Sequence, residues 1–426
     1  MSSQSVESAG DYPLPDAGIC IRNRSMRKRG QRLLGLWLFV PLSVFGQIDP
    51  IPRDLVQIGY NQAFQGHSPL AGYAFYYHNQ PDFLRTNLTL RLTVAPVYAD
   101  SELGFINGLG PNTDFGLGLA GGGFADGYNE IHGGTFYPSQ SFAGNGAELS
   151  ASLYHRFNPA ARIPLNYILR GVAHDSFYTK NNDTAGDFQL PPNHADFNLR
   201  TGLRWGGVEP TLFPPLAMEL SVWYEGHLRS HPGHYGSQEA CTLERQSHLF
   251  WTEAALAYTL PESQQSFYVR LTSGTSLEAD RLSAYRLGGF LPLVSEFPLS
   301  LPGYYFQEIS ARQFVLCNAN YLLPLDNGKR WSLDLNASTA IVDYLPGEGQ
   351  PGNSLTGVGG GLLYYSRSRH LKVMLNYAYG IDALRAAGRG ASSIGVLLQL
   401  DLGRLRNEQF SRPQPSLWRG WGNIFK

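Results

Sequence analysis

Residues 87–94 read Asn87-Leu88-Thr89-Leu90-Arg91-Leu92-Thr93-Val94, and every second side chain is apolar. The same alternation returns in Trp331-Ser332-Leu333-Asp334-Leu335-Asn336-Ala337-Ser338, in Ser393-Ile394-Gly395-Val396 and in Leu398-Gln399-Leu400-Asp401-Leu402. Successive side chains of a strand point to opposite faces, so a period of two marks a strand with one apolar and one polar face. The polar face here carries Arg, Asp, Asn, Ser, Thr and Gly. Outward from these stretches, sixteen segments of the same kind fill the chain: 54–62, 70–79, 86–97, 99–108, 114–127, 145–157, 164–177, 197–207, 216–227, 248–260, 264–274, 311–324, 331–344, 355–367, 370–382 and 391–403.

The links between these segments sort by parity, apart from a short odd-to-even link near Ala99. The odd-to-even links include 128–144, 178–196, 228–247 and 275–310; the even-to-odd links are 80–85, 109–113, 158–163, 208–215, 261–263, 325–330 and 368–369. Long links on one side and short turns on the other are the mark of an outer-membrane barrel. A secreted β-sandwich has no reason to segregate its loops this way.

Composition narrows the classes in the same direction. Charged residues make up 16% of the 426, against about 25% in soluble domains. The net charge of -1 leaves no basic stripe for nucleic acid. Aromatics at 13% are too plentiful for a disordered chain. Repeated apolar runs of roughly 18 residues, needed for a polytopic helical protein, are missing. The expectation is an all-β protein, a single transmembrane antiparallel β-barrel of 16 strands spanning 47–403.

Upstream, Met26-Arg27-Lys28-Arg29 and the apolar run Leu33 to Phe45, ending at Gly46, read as a signal peptide over 26–46. Residues 1–25 read as a non-translated or disordered extension, and 404–426 as a C-terminal tail. The three cysteines, Cys20, Cys241 and Cys317, are too few for a disulfide framework.

With the apolar face toward lipid, parity points Arg91, Arg170, Arg200, Arg204, Arg270, Glu219, Glu225 and Asp334 into the lumen. An Arg on the lipid side at mid-membrane would cost about 2–4 kcal/mol, which sets the phase. We read these charges as a network that holds the barrel cross-section, in preference to a selectivity filter. Trp205, Trp251, Tyr258, Tyr321 and Trp331, near strand ends, fit interfacial girdles.

The last third of the chain contains Arg286-Leu287-Gly288-Gly289-Phe290, then Leu301-Pro302-Gly303-Tyr304. It continues with Asn320-Tyr321-Leu322-Leu323-Pro324-Leu325, Ala340-Ile341-Val342-Asp343-Tyr344, Gly357 to Tyr365, and Tyr377-Ala378-Tyr379-Gly380-Ile381-Asp382. In order and spacing, residues 284–403 resemble the barrel of the bacterial surface antigen family, the BamA/TamA-type outer-membrane assembly and transport barrels. The resemblance implies a long sixth outer loop, here 275–310, folded into the lumen and followed by five strands. It also implies an aliphatic-Arg-Gly-aromatic tetrad at Leu301 to Tyr304, with Gly303 and Tyr304 in the lumen. The tetrad Arg is Pro302 here, and Asp343 matches the acidic position on strand thirteen that this Arg meets in the family. The charge-assisted pair is therefore missing. The loop is expected to hold by apolar packing through Phe290, Leu291, Leu293, Phe297, Leu299 and Tyr305. Fewer than ten residues separate Gln47 from the first strand, which leaves no room for a POTRA module. The resemblance thus implies a barrel-only form.

No Ser lies in a nucleophile elbow beside a His and an acid, and His155, His174 and His194 are scattered, so an enzyme is not expected. His227, His231 and His234 are read as polar loop residues rather than metal ligands, and no cofactor is expected. The resemblance implies an outer-membrane protein aiding insertion or translocation of protein or lipid. Its partners would be outer-membrane lipid and the assembly machinery or a translocated chain or lipid, with the protein itself a monomer. A passive, porin-like solute channel and a structural or adhesive surface barrel are the alternatives.

Overall fold

A computed structural model of the protein describes residues 51–123, 126–161, 163–293 and 295–411. The expected leader and extension, and the tail beyond 411, lie outside the described residues.

Sixteen strands form the wall. In chain order they are β1 (Arg53–Ala63), β2 (Ala71–Pro81), β3 (Leu88–Val94), β4 (Tyr98–Phe105), β5 (Thr113–Gly122), β6 (Phe142–Arg156), β7 (Leu165–Lys180) and β8 (His194–Gly207). They continue as β9 (Leu216–Arg229), β10 (Gln246–Thr259), β11 (Ser266–Leu277), β12 (Ile309–Pro324), β13 (Trp331–Tyr344), β14 (Ser354–Tyr365), β15 (Leu371–Arg385) and β16 (Gly388–Asp401). Each pairs antiparallel with the next, and β16 returns to β1 with Asp401 opposite Leu55 and Ser393 opposite Ala63. Closure leaves no sheet edge with unpaired backbone groups, the condition for a strand structure in lipid. One extra short strand, Tyr285–Leu287, adds to the start of β12.

The alternation of β13 shows how the wall is phased. Ser332, Asp334, Asn336, Ser338, Ala340 and Val342 are buried toward the inside, while Trp331, Leu335 and Ile341 stand exposed on the outside. The same inversion, small or polar inside and large apolar outside, puts Leu119, Leu149, Phe197, Leu220 and Leu256 on the outer face. A continuous outer band of large apolar side chains is a lipid-facing surface. Among the described residues no helix is long and apolar enough to cross a membrane.

The loops 123–141, 181–193, 230–245 and 278–308 gather at one rim, here the long-loop rim; the links 82–87, 106–112, 157–164, 208–215, 260–265, 325–330 and 366–370 lie at the short-turn rim.

Several boundaries moved for physical reasons. The segment 86–97 ends at Val94 because Pro96 has no ladder N–H, and Ala95 turns directly onto Tyr98 (N–O 2.7 Å). β15 extends to Arg385 across a register shift between Gly380 and Leu384. The expected tail begins as a helix, Leu402–Ser411, whose Arg406 reaches Asp54 on β1 at 3.2 Å. Trp251 is no girdle residue: it stands on the inward face of β10, 7% exposed, stacked on Trp223.

Candidate functional site

The inner wall is laced by cross-strand charge pairs. Arg91 on β3 reaches Glu102 at 3.1 Å and Asp100 at 3.3 Å on β4. Arg170 on β7 meets Glu148 on β6 at 2.8 Å. On β8, Arg200 bonds Glu225 of β9, its Cα partner, and Arg204 bonds Glu219 at 3.1 Å. Arg270 on β11 lies 3.5 Å from Glu253 on β10. Asp334 is fully buried and accepts from the side-chain amides of Asn336 at 2.7 Å and Asn320 at 3.3 Å. These eight, Arg91, Arg170, Arg200, Arg204, Arg270, Glu219, Glu225 and Asp334, all stand on the inward face. Two histidines extend the rows: His227 touches Asp196 and Glu225, both at 2.9 Å, and His174 touches Asp126 at 2.9 Å. Neighbouring strands are thereby tied by charge-assisted bonds in addition to their ladders.

The loop 278–308 enters this interior. Glu296 bridges Arg204, at 2.5 Å, and Arg200, at 3.6 Å. Phe297 packs edge-on against both Trp223 and Trp251, with ring centroids 5.2 and 5.4 Å apart. Ser300 accepts from Asn318 of β12 at 2.7 Å. Leu301 and Tyr304 are fully buried, and Tyr305 is 2% exposed. Gly303 turns the chain at φ +86°, and a side chain there would strike the backbone of Tyr379 and Gly380 on β15. Gly357 on β14 has the complementary role, because the Pro302 carbonyl occupies the space a Cβ would take. The segment Leu301 to Tyr304 thus seats against β14 and β15.

Asp343 takes no part in that seat. It stands on the outward face of β13 and pairs there with Arg312, Nη2 to Oδ2 2.5 Å, both side chains half exposed. The expected match of Asp343 to a lumenal partner fails on parity: Asp334 faces inward, and a residue nine positions on along the same strand must face outward. The ion pair that anchors the loop is a different one. Glu308, the last loop residue, meets Arg385 at the end of β15 at 2.8 and 3.1 Å. Arg385 also lies 3.7 Å above the Tyr305 ring, whose hydroxyl donates to the Gln65 carbonyl at 2.8 Å. The loop carries the acid and the wall the guanidinium, which are swapped from the arrangement that the missing tetrad Arg would have made. Sequence reasoning missed Glu308, Arg385 and Glu296; none lies in an alternating stretch where parity would have placed it.

At the long-loop rim, Arg281 bridges Glu130 at 2.7 Å and Glu348 at 2.6 Å, joining three loops. Burial pushes the Glu348 carboxyl above its usual range, with repulsion from Glu130 adding to the shift and Arg281 opposing it. Deeper, a cavity of about 580 Å³ remains between the loop and the wall, lined by Arg91, Arg170, Arg200, Arg204, Arg270 and Glu296 among others.

No model of a known protein family matches this sequence, and no curated protein matches it. Solved structures do match its fold. BamA from Haemophilus ducreyi lacking POTRA domains 1-3 superposes with a TM-score of 0.50 at 12% identity, over 82% of this chain and 70% of that one. CdiB from Acinetobacter baumannii gives 0.51 at 10% identity, over 82% and 60% of the two chains. CdiB from Escherichia coli gives 0.52 at 12% identity, over 82% and 63%. The chain spans less than two thirds of the two CdiB chains. It has the sixteen-strand fold of the BamA and CdiB barrels.

Proposed function

We propose that this protein is an outer-membrane barrel, closed at rest by its own long loop, that aids insertion or translocation of protein or lipid across the outer membrane. The observation that carries the reading is the seating of 278–308. Glu296 engages β8, the turn at Pro302 to Tyr304 lies against β14 and β15, and Glu308 pairs with Arg385 at the end of β15, where a standing solute channel would leave its lumen open. The shared fold with BamA and CdiB supports the same class. In this reading the long-loop rim faces outside, the short-turn rim faces the periplasm, and the partners are lipid, assembly machinery or the passing chain. Depletion followed by quantitative proteomics of outer-membrane β-proteins, with lipid analysis, tests it. Loss of a defined subset of barrels or a changed lipid profile is expected, and an unchanged outer membrane would refute the assembly role.

The charged cavity of about 580 Å³ beside the loop favours a second reading, a solute channel with a movable plug. Growth on limiting small solutes, with the same depletion, separates the two. A solute-specific defect with normal outer-membrane proteins supports the channel.

A further inference from the structure

The link between β8 and β9 reads Val208-Glu209-Pro210-Thr211-Leu212-Phe213-Pro214-Pro215. At eight residues it equals the longest of the other turns of its rim, yet it does not stay there. Its contacts lie on β1, β15 and β16, which are half-way round a sixteen-strand barrel from β8 and β9. Gln57 of β1 donates to the Pro210 carbonyl at 3.1 Å. Lys372 of β15 donates to the Leu212 carbonyl at 2.5 Å. The Leu212 N–H donates to the Gln399 side-chain oxygen of β16 at 2.8 Å. Buried backbone polar groups need partners, and three here are satisfied by side chains of the opposite wall. Leu212 itself, 2% exposed, belongs to one buried apolar cluster with Phe290 and Leu291 of the long loop and with Met374 and Leu397 of the wall. The turn and the long loop therefore meet inside the lumen, having entered from opposite ends.

The contact also falls on the seam. Gln57 and Gln399 are Cα partners across the β1–β16 closure, and the Gln57 amide donates to the Gln399 oxygen at 3.1 Å. One carboxamide oxygen thus accepts from the far seam strand and from the turn together. Three prolines stiffen the turn and remove N–H groups that would otherwise need partners there.

We propose that residues 208–215 are a second built-in closure of the lumen, which seals the short-turn mouth from within and clamps the β1–β16 seam through Gln57 and Gln399. This goes beyond the proposed function and stands whichever substrate the barrel serves. Two closures that meet in the middle make the lumen tight against removal of either one.

Planar-bilayer recording on the purified full chain tests this with four forms: intact, residues 284–305 deleted, residues 209–214 replaced by a Gly-Ser linker, and both changes together. Each single change is expected to leave conductance within a few-fold of the intact barrel, and the double change to raise it at least tenfold above either. If deletion of 284–305 alone gives the conductance of the double form, the turn is no closure and the proposal fails. Should a deletion form fail to fold, hydrogen exchange on the point variant Gln399→Ala decides the clamp. Amides of 55–63 and 393–401 are expected to exchange at least tenfold faster while β6 to β8 stay unchanged, and an unaltered seam overturns it. Neither readout depends on an assembly role, so failure of that function and failure of the closure are separately visible.

Discussion

Glu308 and Arg385 have side chains 1% and 3% exposed, whereas Asp343 and Arg312 are each 50% exposed. That contrast sets two predictions at the level of single side chains. Arg385→Ala leaves the Glu308 carboxylate buried without its cation and removes the stack on Tyr305, for an expected cost of about 3–5 kcal/mol. Thermal unfolding in detergent and protease cleavage within 278–308 both report it. Arg385→Lys is expected to recover only part, since a lysine cannot make the two parallel bonds or lie flat on the ring. Asp343→Asn breaks an exposed pair on the lipid side and is expected to change stability by about 0–1 kcal/mol, leaving protease protection of the loop intact. The outward face of Asp343 was legible in the sequence once Asp334 had been set inward, because strand parity is rigid over nine residues. The Glu308–Arg385 pair was not legible, since one partner sits in a loop and the other beyond a register shift, where counting by twos no longer holds.

Among elements, the strands were the readable part. Alternation marked all sixteen, because a wall that faces lipid on one side and charge on the other cannot tolerate a slip of one residue. The differences have separate causes: Pro96 cuts a strand short, and Trp251 keeps the inward phase of Glu253 in β10, where Phe297 gives it an aromatic partner, although its residue type suits an interfacial girdle. Loops were readable only in length. The seat of the long loop depends on close backbone approach, and Gly303→Ala tests it. A methyl there meets the β15 backbone and requires a residue other than glycine at φ +86°, with an expected loss of about 1–3 kcal/mol from the backbone conformation alone. Faster proteolysis of 284–305 with an unchanged barrel gel shift is the expected signature.

The β12–β13 turn makes a pH prediction. The Asp326 carboxylate accepts from the Trp331 N–H at 2.7 Å and the Arg330 N–H at 2.8 Å. These backbone donors, Trp331 foremost, hold its carboxyl below the usual range. A depressed folded-state value means that the contribution is complete above the ordinary carboxylate range and is lost as pH falls through the lower folded value. The Arg330 and Trp331 amides are expected to stay protected through mild acid and to exchange faster only below it. Asp326→Asn keeps an accepting oxygen and is expected to abolish that pH dependence.

At the scale of the whole molecule, identity of 10–12% to the BamA and CdiB barrels leaves almost no shared sequence to read, and what persists is topology. The middle of the inner wall carries the carboxylates of Asp100, Glu102, Glu148, Asp196, Glu219, Glu225, Glu253 and Asp334. Against them stand the guanidiniums of Arg91, Arg170, Arg200, Arg204 and Arg270 and the ammonium of Lys372, with His174 and His227 set among the acids. With Lys372 counted, the eight carboxylates are matched by eight cations when both imidazoles are charged and exceed the cations by two when both are neutral; removing the long loop takes away Glu296. A wall of one net sign raises the local concentration of the opposite ion. At alkaline pH, with both imidazoles neutral, the barrel opened by deleting 284–305 and replacing 209–214 is therefore expected to pass cations in preference to anions. The preference should weaken as salt rises from 0.1 to 1 M and the screening length shrinks from about 10 to about 3 Å. Reversal potentials in a potassium chloride gradient measure it directly. Glu102→Gln together with Glu219→Gln is expected to move the reversal potential toward or past neutrality, and an anion preference in the unaltered open barrel would mean that the paired guanidiniums, rather than the surplus carboxylates, face the open path.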